Sequence, residues 1–140
     1  MRSLLAAALF AAASLPAAQP GVEVWKPLSS TAQITGTIHL SPTRLTTANG
    51  AALPLAVAAD TPAFETDTGT YPARILRVTR PANPVLSPRN RFCTAPVRWI
   101  VVWREKVVQE GSLGMAVFSS PQRPTGEGSP GLCGTFGYVR

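Results

Sequence analysis

Hydrophobic and polar positions alternate along much of the chain, with the two-residue period that is typical of β-strands. The clearest run is residues 97–104 (VRWIVVWR). In a strand, Trp99 and Trp103 would lie on one face, and Ile100 and Val102 would lie on the other. Because both faces are apolar at the centre, this run predicts a central strand that is buried on both sides.

Shorter alternating runs predict further strands, at residues 34–40, 43–47, 53–57, 71–79, 113–119 and 132–139. Gly36 would bend the first of them, and Asn49-Gly50 is the strongest turn signal of the chain. Pro54 predicts that the third run is an edge strand or contains a bulge. The intervening residues 60–70, 81–96 and 121–131 are rich in proline, glycine or polar residues, so loops are predicted there. A hairpin connection is favoured over a helix for residues 105–112.

These short strands and their turn signals predict an all-β fold, a small antiparallel barrel or sandwich. Cys93 and Cys133 are the only cysteines. In an oxidising compartment they are expected to form one disulfide, whereas the alternative is two free buried thiols. A zinc site is disfavoured because neither cysteine has a neighbouring Cys or His ligand. If the last strand lies beside the central strand, the sheet could close into a barrel.

The N-terminus reads as an export signal. Arg2 supplies a positive charge, Leu4–Leu15 is an apolar run, and the small residues around Ala17 and Ala18 provide a cleavage site. The apolar run is shorter than the roughly 20 residues that a membrane span needs. We therefore predict a signal peptide at 1–18, an N-terminal arm at 19–31 and a single all-β domain at 32–140. The mature chain is expected to be periplasmic or extracellular, without a transmembrane segment.

Arginine is distributed unevenly. No acidic residue occurs between Asp67 and Glu105, whereas seven arginines do. The planar guanidinium group suits phosphate, sulfate and carboxylate, so converging arginines would form a face for an anionic partner. From this segment we predict ligand-binding roles for Arg74, Arg77, Arg98 and Arg104. The competing interpretation is a solvated positive face that only maintains solubility, given the formal charge of +6.

Other candidate chemistry has simpler explanations. His39, the only histidine, is expected to be a surface residue on a threonine-rich strand face. The acidic residues of 60–70 lack the regular ligand spacing of a calcium loop. Residues 126–131 match G-x-G-x-x-G by letter, but Pro130 removes a backbone donor and no helix follows, so a turn is predicted. Trp99 and Trp103 are interpreted as core residues, with a ligand-lined barrel mouth as the alternative. No catalytic residue, metal or cofactor is predicted.

Three stretches resemble small exported bacterial proteins of unknown function: ITGTIHLSPTRLT, RVTRPANPVL before RFC, and PGLCGTFGY. This resemblance implies export but no activity. In size and architecture the chain is also similar to exported lysozyme-inhibitor β-barrels. Lysozymes of that class are usually basic, as this chain is, and like charges disfavour their association.

The sequence therefore predicts an exported, non-enzymatic binding module whose ligand is an anionic cell-envelope component. A periplasmic inhibitor or other protein-binding module, acting through an exposed edge or residues 121–131, is the first alternative. A small hydrolase that uses His39 is the second alternative. Nucleic acid is not an expected partner of an exported protein.

Overall fold

The computed structural model describes residues 21–87, 89–105 and 111–140. The predicted signal peptide and its cleavage site lie outside these ranges. The described residues form ten strands: β1 (Glu23–Pro27), β2 (Ile38–Ser41), β3 (Arg44–Thr46), β4 (Ala52–Thr66), β5 (Gly69–Ala82), β6 (Val85–Ser87), β7 (Asn90–Arg91), β8 (Val97–Glu105), β9 (Ser112–Phe118) and β10 (Leu132–Val139). A single 3₁₀ turn, Thr31–Ile34, lies between β1 and β2. The part of the chain that the structure describes contains no helix long and apolar enough to cross a membrane.

Eight strands form one closed antiparallel barrel, in the order β1-β10-β9-β8-β5-β4-β3-β2. Strands β6 and β7 form a separate two-stranded ribbon. The predicted all-β fold is confirmed, and of the two predicted architectures the structure is the barrel. Its interior contains aliphatic side chains from six of the barrel strands, whereas β1 contributes Trp25 and β10 contributes Phe136 and Tyr138. Burial of this apolar surface is the main stabilising contribution to the fold.

The barrel is closed by β1, which lies within the predicted N-terminal arm, residues 19–31. Its first half pairs with β2, from Glu23 opposite Leu40 to Trp25 opposite Ile38. Its second half pairs with β10, where Lys26 lies opposite Val139. Trp25 is fully buried, whereas Val24 and Lys26 face outwards. A strand with one buried side chain gives a weak alternating pattern, so the sequence did not reveal it.

The predicted central strand is confirmed as β8, which lies between β5 and β9. Ile100 and Val102 face the barrel interior. The opposite face contributes to a second hydrophobic group, which we call the outer cluster. It comprises Phe64, Ala73, Ile75, Trp99, Val101, Trp103, Ala116 and Phe118. Strand β8 is therefore buried on both faces, as predicted, and its two tryptophans are core residues of the outer cluster.

The outer cluster is covered by a segment that was predicted to be a loop. Residues 60–70 instead continue β4 to Thr66 and begin β5 at Gly69, so the loop prediction was wrong. Most side chains of this segment are polar and lie at the surface, and Phe64 is the one that is buried. Register shifts at Val57/Ala59 and Thr61/Phe64 bend this hairpin. Phe64 thereby contacts the rings of Trp103 and Phe118.

Several local predictions need correction. The strand predicted at 34–40 begins only at Ile38, because Gly36 adopts a φ of +63° and lies where a Cβ would be 2.7 Å from that of Ala48. Pro54 lies inside β4, which has a neighbour on each side and is therefore not an edge strand, and the irregularity of this strand is the register shift between Val57 and Ala59. In the last strand, the two-residue alternation would place Leu132 on the same face as Phe136 and Tyr138, but Leu132 is 40% exposed because β10 changes register there. The Asn49-Gly50 turn is confirmed, with Gly50 at a φ of +86°.

The predicted disulfide between Cys93 and Cys133 is confirmed. It joins the start of β10 to the segment before β8, but β9 lies between these two strands, so the barrel does not close through them. The other end of β10 is held by Tyr138, whose hydroxyl lies 2.8 Å from that of Thr35. Burial raises the pKa of Tyr138, so this group remains a neutral hydrogen-bonding partner.

Candidate functional site

The four arginines predicted to bind a ligand do not form one surface. Arg74 and Arg104 line the same cavity at one end of the barrel, which we call the mouth. Arg77 lies opposite Trp99, nearer to the other end. Arg98 is at the start of β8 and Arg104 near its end, which places their backbones about 20 Å apart along the strand. The barrel therefore divides the predicted site into two regions.

At the mouth, strand ends surround a cavity of about 450 Å³. Its floor is apolar, because it is formed by the end of the barrel interior. The lining residues from that interior include Leu40, Leu76, Val102 and Leu113, and Trp103 of the outer cluster also borders the cavity. Charged residues complete the lining: Glu23, Asp60, Arg74 and Arg104. The cavity thus combines an apolar floor with a charged rim.

The first pair on this rim is Arg74 with Asp60, which lie opposite each other on β5 and β4. The Arg74 Nε donates to Asp60 Oδ1 over 2.8 Å, and Nη2 donates to Oδ2 over 3.3 Å. The hydrogen bond from Arg74 lowers the pKa of Asp60, and the carboxylate in turn raises the pKa of Arg74. Because both side chains are exposed, this pair contributes little to folding stability.

The second pair on the rim is Arg104 with Glu23. Arg104 Nη2 donates to the two carboxylate oxygens over 2.8 and 2.9 Å. The guanidinium group also lies 4.8 Å from the ring centroid of Trp25, whose indole N–H donates to Glu23 over 2.9 Å. Arg140 approaches the same carboxylate to 3.6 Å and the same ring to 4.9 Å. These contacts fix Arg104 against the closing strand of the barrel.

The remaining described carboxylates lie at the same end of the barrel. Glu127 accepts a hydrogen bond from the backbone N–H of Asp67 over 2.9 Å, which attaches the loop 119–131 to the β4–β5 hairpin. Glu105 accepts one from Thr68 in that hairpin over 2.8 Å. Burial raises the pKa of Glu127, and the nearby charges of Asp67 and Glu105 add to the effect.

These shifts predict opposite pH dependence for two substitutions. The folded state binds the Glu127 proton more tightly than the unfolded state, so ionisation of Glu127 opposes folding as pH rises through its raised pKa. Glu127→Gln should therefore be more stable than the parent at pH 7, by less than about 1 kcal/mol because the group is only partly buried. The advantage should disappear as the pH falls below the ordinary Glu value of 4.5.

Asp60→Asn should behave in the opposite way. The lowered pKa of Asp60 stabilises the fold above its ordinary value of 3.8, and this contribution is lost as the pH falls through the folded-state pKa. The variant should be less stable than the parent at pH 7 and should approach it in acid. Urea unfolding of the parent and the two variants from pH 3 to pH 7 measures both effects. If the free energy of unfolding of the two variants changed with pH in the same way, the opposite pKa shifts of Asp60 and Glu127 would be contradicted.

The second region contains arginines without acidic partners, and we call it the arginine-rich end. It comprises Arg77, Arg80, Arg89, Arg91, Arg98 and Arg123. Among the described residues, the arginines in ion pairs are Arg74, Arg104 and Arg140. Arg123 lies 5.9 Å from the ring centroid of Trp99, the residue that Arg77 faces across the β5–β8 ladder. These two arginines therefore flank one tryptophan.

A groove beside the disulfide holds two more arginines of this end. Arg89 and Arg91 line it together with Asn90, Phe92 and both cysteines. Arg91 donates to the backbone oxygen of Asn83, whose side-chain amide pairs in turn with the backbone of Cys93. The disulfide and this amide therefore hold the proline-rich connection in place.

The sequence indicated only part of this region. The gap without acids between Asp67 and Glu105 was a visible signal, and five of the six arginines lie within it. Arg123 was missed because it is about 20 residues downstream of that gap, and only the fold brings its loop against Trp99. Conversely, Arg74 and Arg104 were predicted to bind a ligand, although Arg74 pairs with Asp60 and Arg104 pairs with Glu23.

The structure also places the other residues that were considered as candidate sites. His39 is exposed, as predicted, and its cross-strand neighbours are Val24 and Thr46. Within the described ranges, no three His, Cys, Asp or Glu side chains are placed to hold a metal ion. The turn predicted at 126–131 is confirmed, and Gly126 forms a β-bridge with Glu65. Its Cα faces the Glu65 backbone so closely that a Cβ would lie 3.1 Å from the carbonyl oxygen.

The architecture and the two charged regions leave the family of the protein open. The chain matches no family model, no curated protein and no solved structure. The resemblances stated from the sequence therefore stay predictions. Function has to be argued from the mouth and the arginine-rich end themselves.

Proposed function

We propose that the protein is an exported, non-enzymatic binding module that holds an anionic polymer of the cell envelope at its arginine-rich end. The mature chain would act in the periplasm or outside the cell. Two features support export: the signal-like N-terminus of the sequence and a disulfide that an oxidising compartment would maintain. The observation that carries the binding proposal is the separation of charge along the barrel.

The acidic side chains are far enough from the arginine-rich end that they do not neutralise it. The described carboxylates lie at the mouth and the adjoining hairpin, as their contacts with Arg104, Thr68 and Asp67 demonstrate. Arg98 is about 20 Å from Arg104 along β8. At physiological ionic strength, charges are screened over about 8 Å, so these acids scarcely reduce the potential at the arginine-rich end. A positive potential of this kind attracts anions over a broad surface.

The arrangement of the arginines favours a polymer over a single small anion. They come from β5, the β6–β7 ribbon, the start of β8 and the loop 119–131. A chain of repeated phosphate or carboxylate groups can contact several such positions at once. Each guanidinium can present two parallel donors to one phosphate or carboxylate, which suits this kind of recognition.

Binding of long-chain inorganic polyphosphate, used as a soluble model of a phosphate-bearing envelope polymer, tests the proposal. We expect saturable binding that weakens steeply as the salt concentration rises, because bound counterions are released from the polyanion. The double variant Arg77→Gln/Arg98→Gln should bind about tenfold or more weakly, since hydrogen bonds to charged groups contribute the most. Isothermal titration calorimetry at several salt concentrations measures both effects.

The chain offers a matched control with the same change in net charge. The double variant Arg74→Gln/Arg104→Gln removes two arginines that already have acidic partners. Its affinity for polyphosphate should stay within about twofold of the parent, because these residues lie at the opposite end of the barrel and their field is screened there. Equal losses in the two double variants would contradict a localised site and would favour a general effect of net charge.

A further inference from the structure

We infer that the mouth is a second binding site, for a small amphiphilic anion with an apolar chain and one carboxylate-type head group. This inference does not depend on the arginine-rich end. The cavity volume of about 450 Å³ lies within the range of small-molecule pockets, roughly 300–1,000 Å³. The inference rests on how the apolar and charged parts of the mouth are placed.

The apolar part of the mouth continues the barrel interior. Leu40, Leu76 and Leu113 belong to the main hydrophobic core and also line the cavity. Val102, from the middle of the sheet, is only partly buried and packs against the same core. An apolar chain that entered here would cover the exposed part of Val102 and would pack beside Leu40, Leu76 and Leu113, which are already buried in the core. The favourable free energy would be about 25 cal/mol for each Å² of apolar surface buried.

The charged part of the mouth retains hydrogen-bond donors. Arg104 bonds to Glu23 through Nη2 alone, so its Nε and Nη1 have no partner among the described residues. Arg74 bonds to Asp60 through Nε and Nη2, which leaves Nη1 without a partner in the same part of the chain. Each of the two guanidinium groups therefore keeps at least one donor that can bind an anionic head group. Their carboxylate partners keep the rim close to neutral, so a ligand with several negative charges gains little there.

Titration with dodecanoate, below its micelle concentration, tests this second site. We expect one molecule of dodecanoate to bind per barrel. Acetate, which has the head group alone, should show no measurable binding, and dodecyltrimethylammonium, which has the opposite charge, should bind at least tenfold more weakly. Calorimetry gives the stoichiometry, and amide chemical shifts in NMR spectra give the location. Shifts that centre on Arg98 and the disulfide instead of on Leu76 and Val102 would overturn the inference.

Two variants separate the apolar and the charged contributions. Val102→Trp should fill the cavity and abolish dodecanoate binding, whereas Arg104→Met should weaken binding about tenfold or more because a charged donor is lost. Arg98→Met, which lies away from the cavity, is the control and should bind as the parent does. If Val102→Trp does not fold, Arg104→Met and its control still decide the outcome. Unchanged dodecanoate affinity in Arg104→Met would overturn the role of the rim.

The two proposed sites can fail separately. Arg104→Met should weaken dodecanoate binding and leave polyphosphate binding unchanged. Arg77→Gln/Arg98→Gln should weaken polyphosphate binding and leave dodecanoate binding unchanged. Loss of both activities in either variant would contradict the separation of the two ends.

Discussion

Removal of the disulfide, by Cys93→Ala together with Cys133→Ala, is expected to lower the free energy of unfolding by about 4 kcal/mol. The bond closes a loop with a sequence separation of 40 residues. In the chain-entropy model, such a loop restricts the unfolded state by about that amount. Since small domains are stable by only about 5–15 kcal/mol, the loss would be a large part of the total.

Guanidinium chloride unfolding of the parent and the double alanine variant measures this loss. The parent treated with a reductant provides a second route to the same state without a change of side chains. A decrease below about 1 kcal/mol by both routes would contradict the entropic argument. The groove beside Arg89 and Arg91 should also lose order in the variant, because both cysteines line it.

Gly114→Ala is expected to destabilise the fold by about 3 kcal/mol, the upper end of the roughly 1–3 kcal/mol that overpacking of a rigid core commonly costs. A Cβ at this position would lie 2.2 to 2.5 Å from three atoms of the Trp103 indole. Neither neighbour can move easily. Strand β9 is hydrogen-bonded to β8 and β10 on its two sides, and only 5% of the Trp103 surface is exposed.

A double-mutant cycle isolates the contact between these two residues. Trp103→Leu removes the indole atoms that the new Cβ would meet, so Gly114→Ala should cost about 1–3 kcal/mol less in that background. The indole N–H of Trp103 has no hydrogen-bond partner among the described residues, so packing rather than hydrogen bonding fixes its position. Chemical denaturation of the four proteins gives the coupling energy. A coupling near zero would mean that the ring moves aside.

The sequence predicted the centre of the barrel better than its closure. Strands β8 and β9 were recognised because their long apolar runs admit few other interpretations. Strand β1 and the extension of β4 to Thr66 were not recognised, since each buries only one large side chain, Trp25 or Phe64. Strand β1 is specified by its pairing with distant β10, and the extension of β4 by the packing of Phe64 on Trp103 and Phe118, neither of which a local pattern contains.

The candidate site was predictable to a similar extent. The uneven distribution of arginine and acid was visible in the sequence and corresponds to the charge separation of the barrel. Which arginines have acidic partners depends on strand register: Arg74 lies opposite Asp60, whereas Arg77 lies opposite Ala56 and Trp99. Arg104 meets Glu23 only because β1 closes the barrel, so no sequence spacing indicated that pair.

Both proposed activities follow from this division of the barrel into a charge-balanced mouth and an arginine-rich end. The disulfide stabilises the arginine-rich end, where it anchors the connection that contains Arg89 and Arg91. The interaction of Arg104 with Trp25 and Glu23 stabilises the mouth. Substitutions at one end should therefore leave the chemistry of the other end intact.

The most direct test of the central claim is a map of the polyphosphate contact surface by NMR titration of the isotope-labelled protein. We expect that amide and guanidinium signals of Arg77, Arg98 and Arg123 shift progressively with added polyphosphate and return when salt is raised. Signals of Glu23 and Asp60 should remain in place. Shifts that centre on the mouth, or that spread evenly over every arginine, would contradict the central claim.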